Sequence, residues 1–199
     1  MKLPKKVIVK VLLMFFPILL VGQDQSSFVE QINKCYSNPN FKDILYRIGN
    51  EKECYRGLKF PDFELSSING ETISNQTIEG KVTVINFWFT ACPPCLEEIP
   101  KFNRLINEIN NRRNEEIVFI APSSDDEETI LKFLKQYGEL RSIILPNALS
   151  FFRTTLASKS GFPTTIVVDK SGNIKEYHSG GINDFGDFRD LIISLTSDE

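Results

Sequence analysis

Eleven consecutive residues, GKVTVINFWFT at positions 80–90, constrain this chain more than any other stretch. The run is apolar, β-branched and aromatic, with Lys81 its one charge. A strand with one wet face alternates polar and apolar residues. A strand without that alternation has both faces covered, as in the centre of a layered α/β sheet. The segment after the run suits such a layer. CLEEIPKFNRLINEINN places Leu96, Ile99, Phe102, Leu105, Ile106 and Ile109 at helical spacing, and Pro100 inside it is expected to kink the helix.

The remaining pattern extends this unit. FPDFELSSINGETIS reads as a β-hairpin turning at Asn69-Gly70. EEIVFIAPS is a second buried strand. Ser124 is expected to cap the helix DDEETILKFLKQYG, with acids in its first turn and Gly138 at its end. RSIILP is a short strand and NALSFFRTTLAS a helix. TTIVVDKSGNIKEYHSG is a hairpin turning at Ser171-Gly172-Asn173, and NDFGDFRDLIISLTS closes the chain as an amphipathic helix. Strands alternating with helices give an α/β fold: a mixed central sheet flanked by helices, with a β-hairpin at its start.

The N-terminus reads differently. Lys2, Lys5, Lys6 and Lys10 precede an apolar run that ends at Gly22, the pattern of a signal peptide over residues 1–22. A retained membrane anchor is the alternative. The run from Val11 to Val21 is short against the roughly 20 residues a spanning helix needs. Cleavage would leave 19 Lys and Arg against 26 Asp and Glu, a net charge of −7. An acidic body argues against nucleic acid as a partner, because phosphate binding needs clustered cations. Residues 23–58 form a partly helical extension, in which Phe41, Ile44, Leu45 and Ile48 recur at helical spacing, and residues 59–199 hold the main domain.

Export would let disulfides persist. Four cysteines are present: Cys35 and Cys54, with eighteen residues between them, and the tight pair Cys92-Pro-Pro-Cys95. The simplest pairing makes Cys35–Cys54 a structural bridge and Cys92–Cys95 a separate couple, although other pairings satisfy the sequence. The tight pair admits three readings: redox couple, metal half-site or covalent staple. Structural zinc needs four Cys or His ligands, and the others here are only Cys35, Cys54 and His178, so no metal site and no cofactor is expected. A peroxidase pattern is also unsupported, since Phe89 stands three residues before Cys92 and Thr90 only two.

As a redox couple, Cys92 would cap the helix and gain thiolate stability from its free N–H groups. Cys95, one turn in, would resolve the mixed disulfide. Pro93 and Pro94 remove two of those N–H groups, leaving that of Cys95 as the nearest. A less stabilised thiolate means a more reducing couple. Glu98 lies three residues beyond Cys95 on the same helical face.

VINFWFTACPPCLEEIPKFNRL and GFPTTIVVDKSGNI together resemble the thioredoxin superfamily, and within it the exported TlpA/ResA-like thiol–disulfide oxidoreductases. The resemblance covers Lys59 to Ser197. Between Cys95 and Pro163 lie 67 residues. That leaves room for a strand–helix insertion beyond a minimal thioredoxin, as in the TlpA-like branch. The resemblance implies a thioredoxin-like fold, with Cys92 as nucleophile and Cys95 as resolving thiol. It implies that Pro163 is cis, with Phe162 and Trp88 at the substrate site, and that Glu98 tunes thiol acidity. Asn86 stands where thioredoxin carries a buried, proton-handling aspartate, and Ala91 where it carries tryptophan. His178, Phe151 and Phe152 are read as strand-surface and core or groove-wall residues.

The implied function is disulfide reduction in exported proteins of the periplasm or cell envelope, apocytochromes among the candidates. Electrons would come from a membrane donor of the DsbD/CcdA type. An oxidase or isomerase, or a redox-inert binding module on the same fold, are the rival readings.

Overall fold

The computed structural model describes residues 23–111, 116–156, 160–182 and 184–197. The expected signal segment, residues 1–22, lies outside them. Among the described residues no helix is long and apolar enough to cross a membrane.

The apolar run becomes strand β3 (Val82–Phe87), and it lies at the centre of a five-stranded sheet. Parallel to it runs β4 (Ile117–Pro122), and beyond that β5 (Ile143–Leu145). On its other side β6 (Thr164–Val168) pairs antiparallel, with Ile85 opposite Ile166, and β7 (Ile174–Ser179) pairs antiparallel with β6. The observed sheet is therefore mixed, as expected.

Alternation along β3 decides what covers each face. Ile85 and Phe87 join one apolar cluster with Ile120, Ile166, Phe151 and Phe152, the last two from α6 (Leu149–Thr155). Val82 and Val84 join another, built on α4 (Pro93–Asn111) and α7 (Phe185–Ser197) through Phe102, Leu105, Ile106, Phe188 and Ile192. Pro100 lies inside α4, which continues across it. Asn86 is the half-buried residue in an otherwise buried strand.

Helix α5 (Glu127–Tyr137) starts later than expected. Its cap is Asp126, which accepts the Thr129 N–H at 2.8 Å, and not Ser124. The short α3 (Asn75–Ile78) comes after a hairpin of β1 (Glu64–Ser66) and β2 (Thr72–Ser74). Gly70 takes φ +82° at the hairpin turn, where a side chain would be strained. Asn75, which heads an Asn-Gln-Thr glycosylation sequon, spends its amide on the hairpin. It accepts the Phe63 N–H at 2.7 Å and donates to the Pro61 carbonyl at 3.3 Å.

The extension shares its core with the sheet. Phe28 and Ile32 of α1 (Gln23–Tyr36) are buried with Tyr55 and Leu156. Tyr55 stacks on Tyr177 of β7 at 4.0 Å and 6°, and its hydroxyl donates to the Leu156 carbonyl at 3.1 Å. A Cys35–Cys54 disulfide ties the end of α1 to the 3₁₀ turn at Glu51–Cys54. The expected stripe Phe41, Ile44, Leu45, Ile48 is broken. Phe41 is buried from a 3₁₀ turn at Pro39–Lys42, its ring 5.3 Å from that of Tyr36. Asp43 then caps a new helix, α2 (Ile44–Asn50), by accepting the Leu45 N–H at 2.8 Å. That restart changes the helical phase, leaving Ile44 and Leu45 53% and 79% exposed. The side chain of Ile48 lies outside the described set.

Both edges of the sheet receive hydrogen bonds from the N-terminal part of the chain. At β7 the Gly57 N–H donates to the Ile174 carbonyl and the Ile174 N–H to the Leu58 carbonyl, each at 2.8 Å. At β5 the Ile68 N–H donates to the Ile144 carbonyl at 2.9 Å.

Candidate active site

The end of β3 carries the chain into Phe89, Thr90, Ala91 and the cysteine pair. Two contacts fix this loop. The Thr90 N–H donates to Asp125 Oδ2 at 2.7 Å, and the Cys92 N–H donates to the Phe89 carbonyl at 3.2 Å. Asp125 was not legible as a site residue, since the sequence pattern gives it to the start of α5. Asp126 does the capping, so Asp125 is left to hold the loop 35 residues away. Two adjacent acids after a buried strand were the only signal, and they do not say which one caps.

Cys92 and Cys95 are joined in a disulfide, with Cα atoms 5.3 Å apart. Helix α4 begins at Pro93, so the first two helical positions have no N–H to offer. The first donor is Cys95, whose N–H points at Cys92 Sγ from 3.3 Å. The Leu96 N–H goes to the Cys92 carbonyl at 3.1 Å. Burial does not separate the two sulfurs, although a resolving thiol one turn into the helix is expected to be the deeper: Cys92 and Cys95 are 2% and 1% exposed. Their flanks do differ, since Ala91, Pro93 and Pro94 are all exposed around Cys92.

Trp88 is not placed as expected for a substrate contact. It is 1% exposed, its Nε1–H donates to the Ala121 carbonyl at 3.3 Å, and its ring lies 5.4 Å from Phe133. Just past β3, Trp88 bridges to Ser123 and lies in one apolar cluster with Cys92 and Cys95. It therefore backs the cysteine pair from inside. The next residue, Phe89, packs against the same cluster and is half-buried.

The Phe162–Pro163 peptide is cis. Pro163 is buried, and its carbonyl accepts the Gly180 N–H at 2.9 Å. Among the described residues none hydrogen-bonds the Phe162 backbone. The Phe162 ring stacks on Phe152 at 4.1 Å and meets Phe89 edge-on at 5.1 Å, so it joins the cysteine loop to the proline loop.

Glu98 is 2% exposed. One carboxylate oxygen accepts the Ile182 N–H, and the other accepts from Asn86 Nδ2 at 3.4 Å. Asn86 Nδ2 also donates to Thr165 Oγ1 at 2.9 Å. Burial pushes the Glu98 pKa above the ordinary carboxylate range, and the bonds from Ile182 and Asn86 oppose that only in part. Asn86, standing where thioredoxin carries a buried acid, thus holds a buried acid on α4. His178 is half-buried rather than a plain surface residue. A ring nitrogen lies 3.1 Å from the Gly181 carbonyl, next to the Ile182 N–H that Glu98 accepts. Among the described residues no three His, Cys, Asp or Glu side chains converge as a metal site.

A disulfide at the head of a helix, its loop joined through Phe89 and Phe162 to a cis-proline loop on this sheet, is the layout of a thioredoxin-fold oxidoreductase. The chain belongs to the Redoxin family, which matches residues 56–192. Within the thioredoxin superfamily it is of the TlpA/ResA-like kind, a thiol–disulfide oxidoreductase. It is 32% identical over 133 residues to thiol–disulfide oxidoreductase ResA of Halalkalibacterium halodurans, covering 66% of this chain and 73% of that one. It is 29% identical over 138 residues to the thioredoxin-like protein YneN of Bacillus subtilis, covering 68% and 79%. Two crystal structures share the fold. A thiol:disulfide interchange protein of Chlorobium tepidum has a TM-score of 0.59 at 22% identity, over 70% of this chain and 97% of that one. StoA of Bacillus subtilis has 0.54 at 20%, over 69% and 98%.

Proposed function

We propose that the Cys92–Cys95 couple is the redox centre and that it works as a reductant of disulfides in exported proteins. The observation that carries this reading is the start of α4. Pro93 and Pro94 leave the Cys95 N–H as the first donor to Cys92 Sγ. With few donors the Cys92 thiolate is weakly stabilised, so the dithiol gives up electrons readily.

In the forward reaction the Cys92 thiolate attacks one sulfur of a substrate disulfide. That bond breaks, the first substrate cysteine leaves as a thiolate and takes a proton, and a mixed disulfide forms. The Cys95 thiolate then attacks Cys92 Sγ and releases the second substrate thiol. Two electrons have passed to the substrate, and the couple is left as the disulfide. Renewed reduction requires a dithiol donor, for which the membrane proteins of the DsbD/CcdA type have the right chemistry. Residues 1–22 read as the export signal or anchor, residues 23–58 as an extension and residues 59–199 as the thioredoxin-like domain. Apocytochromes are one candidate substrate. The backbone of Phe162, before Pro163, would receive an extended substrate segment by strand-like pairing.

Equilibration with thiol–disulfide buffers tests the direction. The potential is expected closer to the roughly −270 mV of thioredoxin than to the roughly −120 mV of a strong oxidant. A value near the latter makes the protein an oxidase.

Glu98 is the proton-handling group in this reading, one helical turn beyond Cys95. Because burial holds its pKa up, the folded protein binds this proton more tightly than the unfolded chain does. The Glu98 contribution to stability is therefore greatest at low pH, and it is lost as pH rises from the unfolded value through the higher folded one. Glu98→Gln is expected to flatten that part of the stability–pH curve and to shift the pH dependence of Cys95 alkylation. Titration curves identical to wild type would remove Glu98 from the mechanism.

A further inference from the structure

The outer side of α4 leads away from the cysteine pair to a cleft that the exchange chemistry does not use. Pro94, Glu97, Arg104 and Glu108 are exposed, and Lys101 is half-buried. Steps of three, four, three and four residues put these five side chains in one stripe along the helix. The stripe starts at the exposed prolines next to Cys92. Its far part borders a cleft of about 280 Å³ between α4 and α7, to which Lys101, Arg104 and Arg189 bring three cations. Glu108 is the one carboxylate that lines it, and Phe185 supplies an aromatic wall.

The three cations are not equally engaged. Arg189 pairs with Asp190 at 2.8 Å and lies 3.6 Å from Glu108. Asp184, in the loop before α7, accepts the Gly186 and Asp187 N–H groups at 2.8 and 3.2 Å. Among the described residues no carboxylate lies within ion-pair distance of Lys101 or Arg104. The Lys101 ammonium sits over the Phe185 ring, 5.9 Å from its centroid, and that ring meets Phe102 edge-on at 5.1 Å. Two cations thus face solvent without an acidic partner, in a chain with 23 Lys and Arg against 26 Asp and Glu. Charge placed this way on a rim governs encounter and partner choice more than stability.

Helix geometry says which part of a partner reaches the cleft. Pro94 and Arg104 are ten residues apart in α4, about 15 Å along the axis. An extended chain covers that distance in about five residues. We propose that the cleft docks a carboxylate side chain of the protein partner, carried about five residues from the cysteine that Cys92 attacks. Glu97, the exposed acid between the two points, disfavours a carboxylate placed closer. The occupant is a polypeptide, because the stripe ends beside the sulfur that a partner cysteine has to reach. The proposal rests on the reading of Cys92 as the nucleophile.

The test uses the reduced full chain and three disulfide-bonded peptides. One carries Asp at the fifth residue on either side of the cysteine, one carries Asp at the second residue, and one carries Ser at all these positions. At low salt, wild type is expected to reduce the distal-Asp peptide with a kcat/KM about threefold above that of the Ser peptide, the size of one exposed ion pair. The proximal-Asp peptide is expected to fall below the Ser peptide. The distal gain is expected to fade as salt approaches about 1 M, where charges are screened beyond roughly 3 Å. Arg104→Glu is expected to reverse the distal preference and to favour a peptide with Lys at the fifth residue. A wild-type distal-to-Ser ratio near one overturns the docking point whatever the variant does, so the result does not depend on Arg104→Glu folding. Equal gains from distal and proximal Asp overturn its placement, and so does an unchanged ratio in a folded Arg104→Glu. Binding to phosphatidylglycerol vesicles that Arg104→Glu abolishes, with a peptide ratio near one, assigns the cleft to a lipid surface instead. Failure to reduce even the Ser peptide sinks the reading of Cys92, and the docking point with it.

Discussion

Replacing Cys92 with serine is expected to reduce disulfide exchange to background, whereas Cys95→Ala is expected to react once and stop. The two outcomes differ because, in the proposed mechanism, the residues act in succession. A serine hydroxyl is not ionised at neutral pH and cannot replace the thiolate as nucleophile. With Cys95 absent, the mixed disulfide on Cys92 has no resolving thiol at its side. Intact-mass spectrometry after incubation with a disulfide peptide is expected to show one peptide adduct on Cys95→Ala and none on Cys92→Ser. If Cys92→Ser carried the adduct and Cys95→Ala did not, the roles would be exchanged. The local geometry opposes such an exchange, because the Cys95 N–H donates to Cys92 Sγ and favours charge on that sulfur.

The second large effect concerns stability. Removing the Cys35–Cys54 bridge as the double variant Cys35→Ala/Cys54→Ala is expected to cost about 3 kcal/mol, the entropic value for a loop spanning 19 residues. In a chain of this size that is roughly a 10 °C fall in melting temperature. The bridge does more than close a loop. It holds α1 where Phe28 and Ile32 enter the apolar cluster under α6. Urea titration checks the cost. A loss below about 1 kcal/mol would mean that burial alone fixes the extension, a competition that the entropic model leaves out. Exchange by the Cys92–Cys95 couple should continue in the folded double variant, since the bridge takes no part in it.

The sequence was most legible where structure is decided locally. The unbroken run at 80–90 announced a central strand, and alternation of strand and helix patterns gave the remaining order. The cysteine pair was visible as a motif because both sulfurs lie within one helical turn. Glu98 was visible because helical spacing puts it on the face of Cys95. What stayed hidden depends on distant chain segments. The Ile182 N–H that binds Glu98 is 84 residues away, and the Asp125 that holds Thr90 is 35 residues away. The burial of Trp88 is not legible because a motif position does not say which distant groups, here Phe133 and the Ala121 carbonyl, enclose its ring. The stripe from Phe41 to Ile48 misled because Asp43 restarts the helix, and periodicity has no means of registering a change of phase.

An enzyme that exchanges disulfides with other proteins meets them partly unfolded, with unpaired backbone to satisfy. An open sheet edge on such an enzyme would be a trap, since any extended chain could add to it and stay. Here the segment Gly57–Leu58 occupies one edge and Ile68 bonds to the other. Both segments precede the redox loop in the chain. In the proposed mode of docking, an extended client would meet flanks that already carry hydrogen bonds and a Phe162 backbone that takes none among the described residues. On that reading the hairpin and the extension would limit strand addition at the two flanks of the sheet.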